Sequence, residues 1–191
     1  MDFKDLVKNN RSYRRFDEQF VIKRETLVEL IDLARFAASG RNAQSLKYFL
    51  SSERDLNEQI FLTLAWAGYL KEWPGPEKGE RPSAYIIVLL DREISDHFLC
   101  DDGIAMQNIL LGAVEKGLGG CILRAINKTL LSTILNLQER FEIIDVVALG
   151  KPIEKVVITN VGNDGDIRYY RDEDGIHYVP KRSLDELIIN Q

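Results

Sequence analysis

Five residues near the start of the chain, Arg11-Ser12-Tyr13-Arg14-Arg15, carry three guanidinium groups and a serine hydroxyl. Arginine presents a planar fork of donors that stays charged at any physiological pH, and a neighbouring serine adds a short neutral hydrogen bond to the same anion. The chemistry this set suits is the holding of a phosphate. The plain alternative is a solvated patch, the usual fate of a short charge run. A second basic pair, Lys181-Arg182, precedes Ser183-Leu184-Asp185-Glu186, whose serine and glutamate three residues apart form a capping box and start a helix. Free N–H groups and the dipole at such an end attract anions. A phosphate clamp drawn from both ends of the chain is therefore one expectation, and an exposed pair that only solvates the tail is the other.

Further candidates are spread along the middle of the chain. Ser39, Asn42 and Gln44 offer hydroxyl and amide groups beyond a helical segment, although serine and asparagine also favour turns for local backbone reasons. Gly119 and Gly120 let backbone approach a flat ring with no Cβ between, or simply follow a helix end. Trp66, Tyr69 and Trp73 stand ahead of the Pro- and Gly-rich loop 74–82; such aromatics can stack on a flat substrate or pack a core. Cys100 and Cys121 are far apart with no histidine cluster, so neither zinc nor a disulfide is indicated, and both read as reduced core thiols. Cys121 is given no catalytic role. His97 and His177 are isolated and read as surface or hydrogen-bonded groups, and no metal is expected.

The elements that must position these residues alternate between helix and strand. Helical spacing marks residues 2–9, 23–39, 54–69, 102–116 and 129–136, with Gly40 as the residue ending the second helix. Apolar strand runs occupy 47–51, 84–90, 121–123, 145–149 and 156–160. The arginine cluster then falls on a turn or extended segment, and 163–178 is a polar, aromatic stretch with Asp164-Gly165 as a turn. The pattern is α+β or α/β. The helix 102–116 is apolar or small nearly all round and must be buried, which is easier if a second subunit covers one side.

A chain of 191 residues with 45% hydrophobic content can bury one core, read as a single domain over 1–191. Its net charge of -5 and its lack of a broad basic face argue against nucleic acid as a partner. No basic-then-apolar leader pattern and no apolar run near the roughly 20 residues of a membrane span is present, so a cytoplasmic protein without membrane contact is expected.

Taken in order, four segments resemble the nitroreductase family of FMN-dependent oxidoreductases. They are Arg11-Ser12-Tyr13-Arg14-Arg15-Phe16, Ser39-Gly40-Arg41-Asn42-Ala43-Gln44, Lys116-Gly117-Leu118-Gly119-Gly120-Cys121 leading to Val147-Ala148-Leu149-Gly150-Lys151-Pro152, and Val179-Pro180-Lys181-Arg182. The resemblance spans essentially the whole chain. It implies an α+β fold, a central mainly antiparallel sheet flanked by helices, in an intertwined homodimer. Residues from about 160 to 191 would form an extended C-terminal arm and closing helix. Two FMN molecules would lie in the dimer interface, with both chains contributing to each.

By the same resemblance, Arg11 and Ser12 lie on the phosphate side and Arg14 near the ring or ribityl chain, where a cation favours reduced flavin. Arg15 shares either task or is structural. Lys181 and Arg182 join the phosphate, Ser39, Asn42 and Gln44 suit the pyrimidine edge, and Gly119-Gly120 faces N5. Trp66, Tyr69 and Trp73 belong to a variable segment over the flavin face and are the substrate candidates. Two departures stand out: Ser45-Leu46 replaces the proline and bulky aromatic of many relatives, and Asn10 replaces another arginine.

The implied activity is ping-pong. NAD(P)H gives hydride to FMN N5, and a small acceptor such as a nitroaromatic or quinone then takes the electrons. The alternatives are dehalogenation, enoate reduction or flavin breakdown on the same fold, and a non-catalytic flavin or nucleotide binder.

Overall fold

The computed structural model describes residues 1–190. Its centre is a five-stranded antiparallel sheet built from β1 (Phe16–Asp17), β2 (Leu46–Ser51), β3 (Ala84–Asp91), β4 (Gly119–Leu123) and β5 (Phe141–Pro152). The order is β1-β5-β3-β2, and β4 also pairs with β5. Every residue of β3 is buried because side chains alternate between faces and both faces are covered. Ala84, Ile86 and Val88 enter one core with Leu27, Leu30, Ile109 and Ala113. Tyr85, Ile87 and Leu89 enter a second with Ile60, Trp66 and Leu131.

The first core lies under α2 (Arg24–Arg35) and α4 (Asp101–Glu115), the second under α3 (Arg54–Phe61) and α5 (Lys128–Ile134). α1 (Phe3–Asn9) packs against α4 and is capped by Asp2, whose carboxylate accepts from the Asp5 amide at 2.8 Å. One carboxylate, Asp145, sits fully buried within β5 and accepts from Arg124 Nε at 2.8 Å. Arg124 also pairs with Asp102 in the first turn of α4, so burying the charge ties that helix to the sheet.

Beyond β5, β6 (Val156–Asn160), β7 (Tyr170–Arg171) and β8 (His177–Lys181) form a second sheet in the order β6-β8-β7. The segment expected as an extended arm thus folds back, with β8 parallel to β6 of its own chain. Gly165 has φ +70° and its amide reaches the Gly162 carbonyl at 2.9 Å, a turn at Asp164-Gly165. The closing helix α6 (Leu184–Leu187) has the full capping box on Ser183 and Glu186.

Several boundaries differ from the sequence expectation. The helix expected over 23–39 stops at Arg35, because Phe36 and Ala37 turn tightly onto the Leu33 and Ala34 carbonyls. Gly40 does not end it and instead starts a 3-10 turn, Gly40–Asn42. The helix expected over 54–69 stops at Phe61. There the Thr63 hydroxyl donates to the Ile60 carbonyl at 2.7 Å, and Leu64 bridges to Ile126. Cys100 is exposed at the foot of α4 and is no core thiol, whereas Cys121 is buried. Burial pushes the Cys121 thiol up.

Candidate functional site

The cationic cluster leaves α1 where that helix ends. Arg11 Nη2 donates to the Val7 carbonyl at 3.0 Å, satisfying the helix end. The chain then runs along β4: Ser12 bridges in parallel to Gly120, and the Tyr13 amide donates to the Gly120 carbonyl at 3.0 Å. A cavity of about 310 Å³ opens here. Arg11, Ser12 and Arg14 line it from the N-terminal side, Gln107 and Leu110 from α4, and His177 and Lys181 from β8. The two ends of the chain therefore meet at one cavity. The Nε atoms of Arg11 and Arg14 are buried without a hydrogen-bond partner, an exception to the rule that buried polar groups are paired.

A buried carboxylate sets this geometry. Glu154, its side chain 1% exposed, accepts from Arg171 Nη2 at 2.9 Å and from the Arg15 amide at 3.2 Å, and it takes the Arg14 amide as well. Arg14 Nη1 reaches back to the Ser12 carbonyl at 3.2 Å. Its guanidinium lies 4.9 Å from the centre of the Tyr169 ring. His177 was expected at the surface or in a hydrogen bond; it is buried, with Nε2 3.4 Å from Arg14 Nη1 and Nδ1 without a partner. Burial, then the charges of Arg14 and Arg171, lower its pKa to about 4. It is neutral at physiological pH.

Two of the expected basic residues are engaged elsewhere. Arg15 gives Nε and Nη2 to the two oxygens of Glu80, at 2.7 and 2.5 Å. That bidentate pair raises the Arg15 pKa and lowers that of Glu80, and it fastens loop 74–82 to the start of β1. The Phe16 amide adds a bond to the Glu80 carbonyl at 2.9 Å. Arg182 pairs with Glu186 at 3.0 Å on the exposed first turn of α6. Glu186 also takes the Ser183 amide, and α6 has only four residues. The expected anion site at that helix end is thus filled by its own capping box, and Lys181 alone of the pair lines the cavity.

Gly119 and Gly120 lie in β4, and both are explained by close packing within the chain. A Cβ on Gly119 would sit 2.5 Å from the Tyr13 ring, and one on Gly120 would sit 2.6 Å from the Ala148 carbonyl oxygen. Among the aromatics, Trp66 is buried in the second core, its ring centroid 5.8 Å from that of Phe61. Its ring therefore packs the core and is closed to a substrate. Trp73 lies under the Arg171 guanidinium at 4.2 Å. Tyr69 is half exposed and touches Tyr169, centroids 4.9 Å apart, so of the three it alone reaches a ring that lines the cavity.

Ser39, Asn42 and Gln44 sit on a separate loop. Asp101 of α4 accepts from the Ser39 hydroxyl at 2.7 Å and from the Gly40 amide at 2.8 Å, and the Ser39 oxygen in turn accepts from the Gln44 amide at 2.9 Å. Arg41, Asn42 and Gln44 all have φ between 51° and 54°, a left-handed conformation that costs non-glycine residues energy and recurs at functional loops. The loop is latched to the N-terminal end of α4, whereas the cavity is lined by Gln107 and Leu110 further along. Within one chain the structure does not bring loop and cavity together.

Sequence reasoning missed Glu154, Gln107 and Tyr169, and gave His177 no place in the site. Glu154, Tyr169 and His177 meet Arg14 from the folded-back tail or across more than 90 residues of sequence, Gln107 accepts from the Asn10 side-chain amide at 3.3 Å, and none belongs to a local pattern.

The comparisons with known proteins agree with this architecture. The Nitroreductase family model matches residues 7–151. A nitroreductase family protein from Streptococcus pneumoniae TIGR4 superposes with a TM-score of 0.71 at 16% identity, covering 100% of both chains. One from Clostridium novyi NT gives 0.66 at 21% identity, covering 97% of this chain and 98% of that one. An FMN-dependent nitroreductase from Clostridium difficile R20291 gives 0.61 at 18% identity, with coverage of 78% and 87%. No curated protein matches the chain. With the family model spanning most of the chain and the same fold recurring in these structures, this protein belongs to the nitroreductase family.

Proposed function

We propose that the protein is an FMN-dependent NAD(P)H oxidoreductase acting as a homodimer, with a small nitroaromatic or quinone as acceptor. The observation that carries this reading is the single cavity lined by Arg11, Arg14 and Lys181 from opposite ends of the chain, with two buried arginine Nε atoms lacking partners. Such a donor set fits a phosphate dianion, which forms its strongest hydrogen bonds with charged donors. Arg11, Ser12 and Lys181 would hold the phosphate of FMN. Arg14, steered by Ser12, Tyr169 and Glu154, would lie toward the ribityl chain and ring, where a positive charge favours the reduced state. The flavin supplies hydride transfer from NAD(P)H to the acceptor when bound.

The remaining contacts require a second copy. In loop 39–44 the Asn42 backbone amide donates to the Ser39 carbonyl and Gln44 Nε2 to the Asn42 carbonyl; the Asn42 side-chain amide and Gln44 Oε1 would suit a pyrimidine edge, yet the loop is latched away from the cavity of its own chain. A neighbouring copy would present its loop instead. Phe3, Leu6, Leu33, Phe36 and Leu111 gather along α1, α2 and α4 in an apolar groove, with Phe3 71% and Phe36 68% exposed. A patch of this kind marks an interaction surface. The test is direct. Purified protein is expected to be yellow, to bleach with NADH or NADPH, and to recover colour with an acceptor. Colour without bleaching would make it a flavin binder without reductase activity, and failure to take up FMN would refute both.

A further inference from the structure

A second cavity, of about 330 Å³, lies on the β2-β3 side of the sheet and shares no lining residue with the arginine pocket. Its volume falls in the range of roughly 300–1,000 Å³ usual for small-molecule sites. Three of its lining residues occupy alternate positions leading into β3: Arg81, Ser83 and Tyr85. Each has a polar atom sealed from solvent and without a hydrogen-bond partner, namely Arg81 Nε, Ser83 Oγ and Tyr85 Oη. Buried polar groups are nearly always paired, and Tyr85 is fully buried. Three orphans around one cavity call for an explanation.

The charges decide the kind of ligand. Four charged residues line the cavity. Arg54 and Glu58 pair with each other at 3.8 Å, and Glu18 accepts from the Gly79 amide. Arg81 forms no hydrogen bond or ion pair among the described residues; its guanidinium rests 4.2 Å from the centre of the Phe61 ring. Arg81 is thus the one charged side chain of this wall that has neither an ion-pair nor a hydrogen-bond partner among the described residues, and Glu18 carries the opposite charge beside it. Burial raises the Tyr85 pKa, so the phenol stays protonated and can donate. Phe20, Val21 and Pro82 supply an apolar wall.

We propose that this cavity binds a small aromatic carboxylate, its carboxylate held by Arg81, Ser83 and Tyr85 and its ring against Phe20 and Pro82. A guanidinium matches a carboxylate with two parallel hydrogen bonds, and the Ser83 and Tyr85 hydroxyls, buried in the same wall, would turn to donate to that head group. The site is independent of the flavin pocket.

Isothermal titration of the purified, flavin-bearing protein with benzoate tests this, with benzamide and inorganic phosphate as controls. Saturable benzoate binding is expected, with benzamide and phosphate each at least tenfold weaker. Arg81→Met is expected to lose tenfold or more and Tyr85→Phe threefold to tenfold, while both keep their flavin. Tyr85→Phe removes only an unpartnered hydroxyl, so its melting temperature without benzoate should match the parent. The proposal is overturned if the folded parent shows no saturable benzoate binding, or if phosphate binds as tightly as benzoate. It is equally overturned if both variants bind benzoate as the parent does, which would place the binding elsewhere, including at the flavin.

Discussion

Arg14 and Arg15 are neighbours in sequence with opposite assignments: one guanidinium faces the cavity, and the other is spent on Glu80. The same division separates Lys181 from Arg182. Replacing Lys181 with alanine should weaken FMN binding by about tenfold or more, as expected for a charge-assisted contact of roughly 1.5–3 kcal/mol. Arg182→Ala should change it less than threefold, and a flavin fluorescence titration reads both. His177 adds a pH signature. Its folded pKa of about 4 lies below its ordinary 6.5, so between those values the unfolded chain binds more protons. Its contribution is therefore full above about pH 6.5 and is lost as pH falls toward 4. His177→Gln should flatten that part of the profile of urea midpoint against pH. The Arg-Ser cluster was legible because all its donors are adjacent; the partners that sort those donors, Glu80, Glu154 and Glu186, declare themselves only after folding.

At the level of elements, two features hold the site in shape. Asp101 latches loop 39–44 through Ser39 and Gly40. Asp101→Asn replaces one acceptor oxygen with a donor, leaving the half-buried Gly40 amide or Ser39 hydroxyl unpaired at a cost of about 1 kcal/mol. A drop in urea midpoint and weaker FMN binding are expected together. Gly120→Ala drives a methyl into the Ala148 carbonyl and should cost about 1–3 kcal/mol by overpacking, measured by thermal unfolding. The strands and the long helix α4 were readable from apolar periodicity. The ends of α2 and α3 were not, because apolar spacing continues past Arg35 and Phe61 while long-range contacts with Asp101 and Ile126 turn the chain away. The polar, aromatic composition of the tail reads as an arm, since nothing local signals that β8 pairs with β6.

For the whole molecule, the distribution of the site matters most: the cationic cavity and the strained loop are separate features of one chain, and an apolar groove runs beside both. Phe36→Asp, on the exposed rim of that groove, should shift the protein toward monomer in sedimentation and release FMN in parallel. A monomer that kept its flavin would separate the groove from the site. The comparison of FMN with riboflavin, which lacks the phosphate, tests the central claim most directly. The parent protein should bind FMN about a hundredfold tighter at low salt, the size expected of two charge-assisted contacts, and Arg11→Ala should remove most of that gap. Equal affinity for the two flavins, or a gap that survives Arg11→Ala intact, would contradict the account.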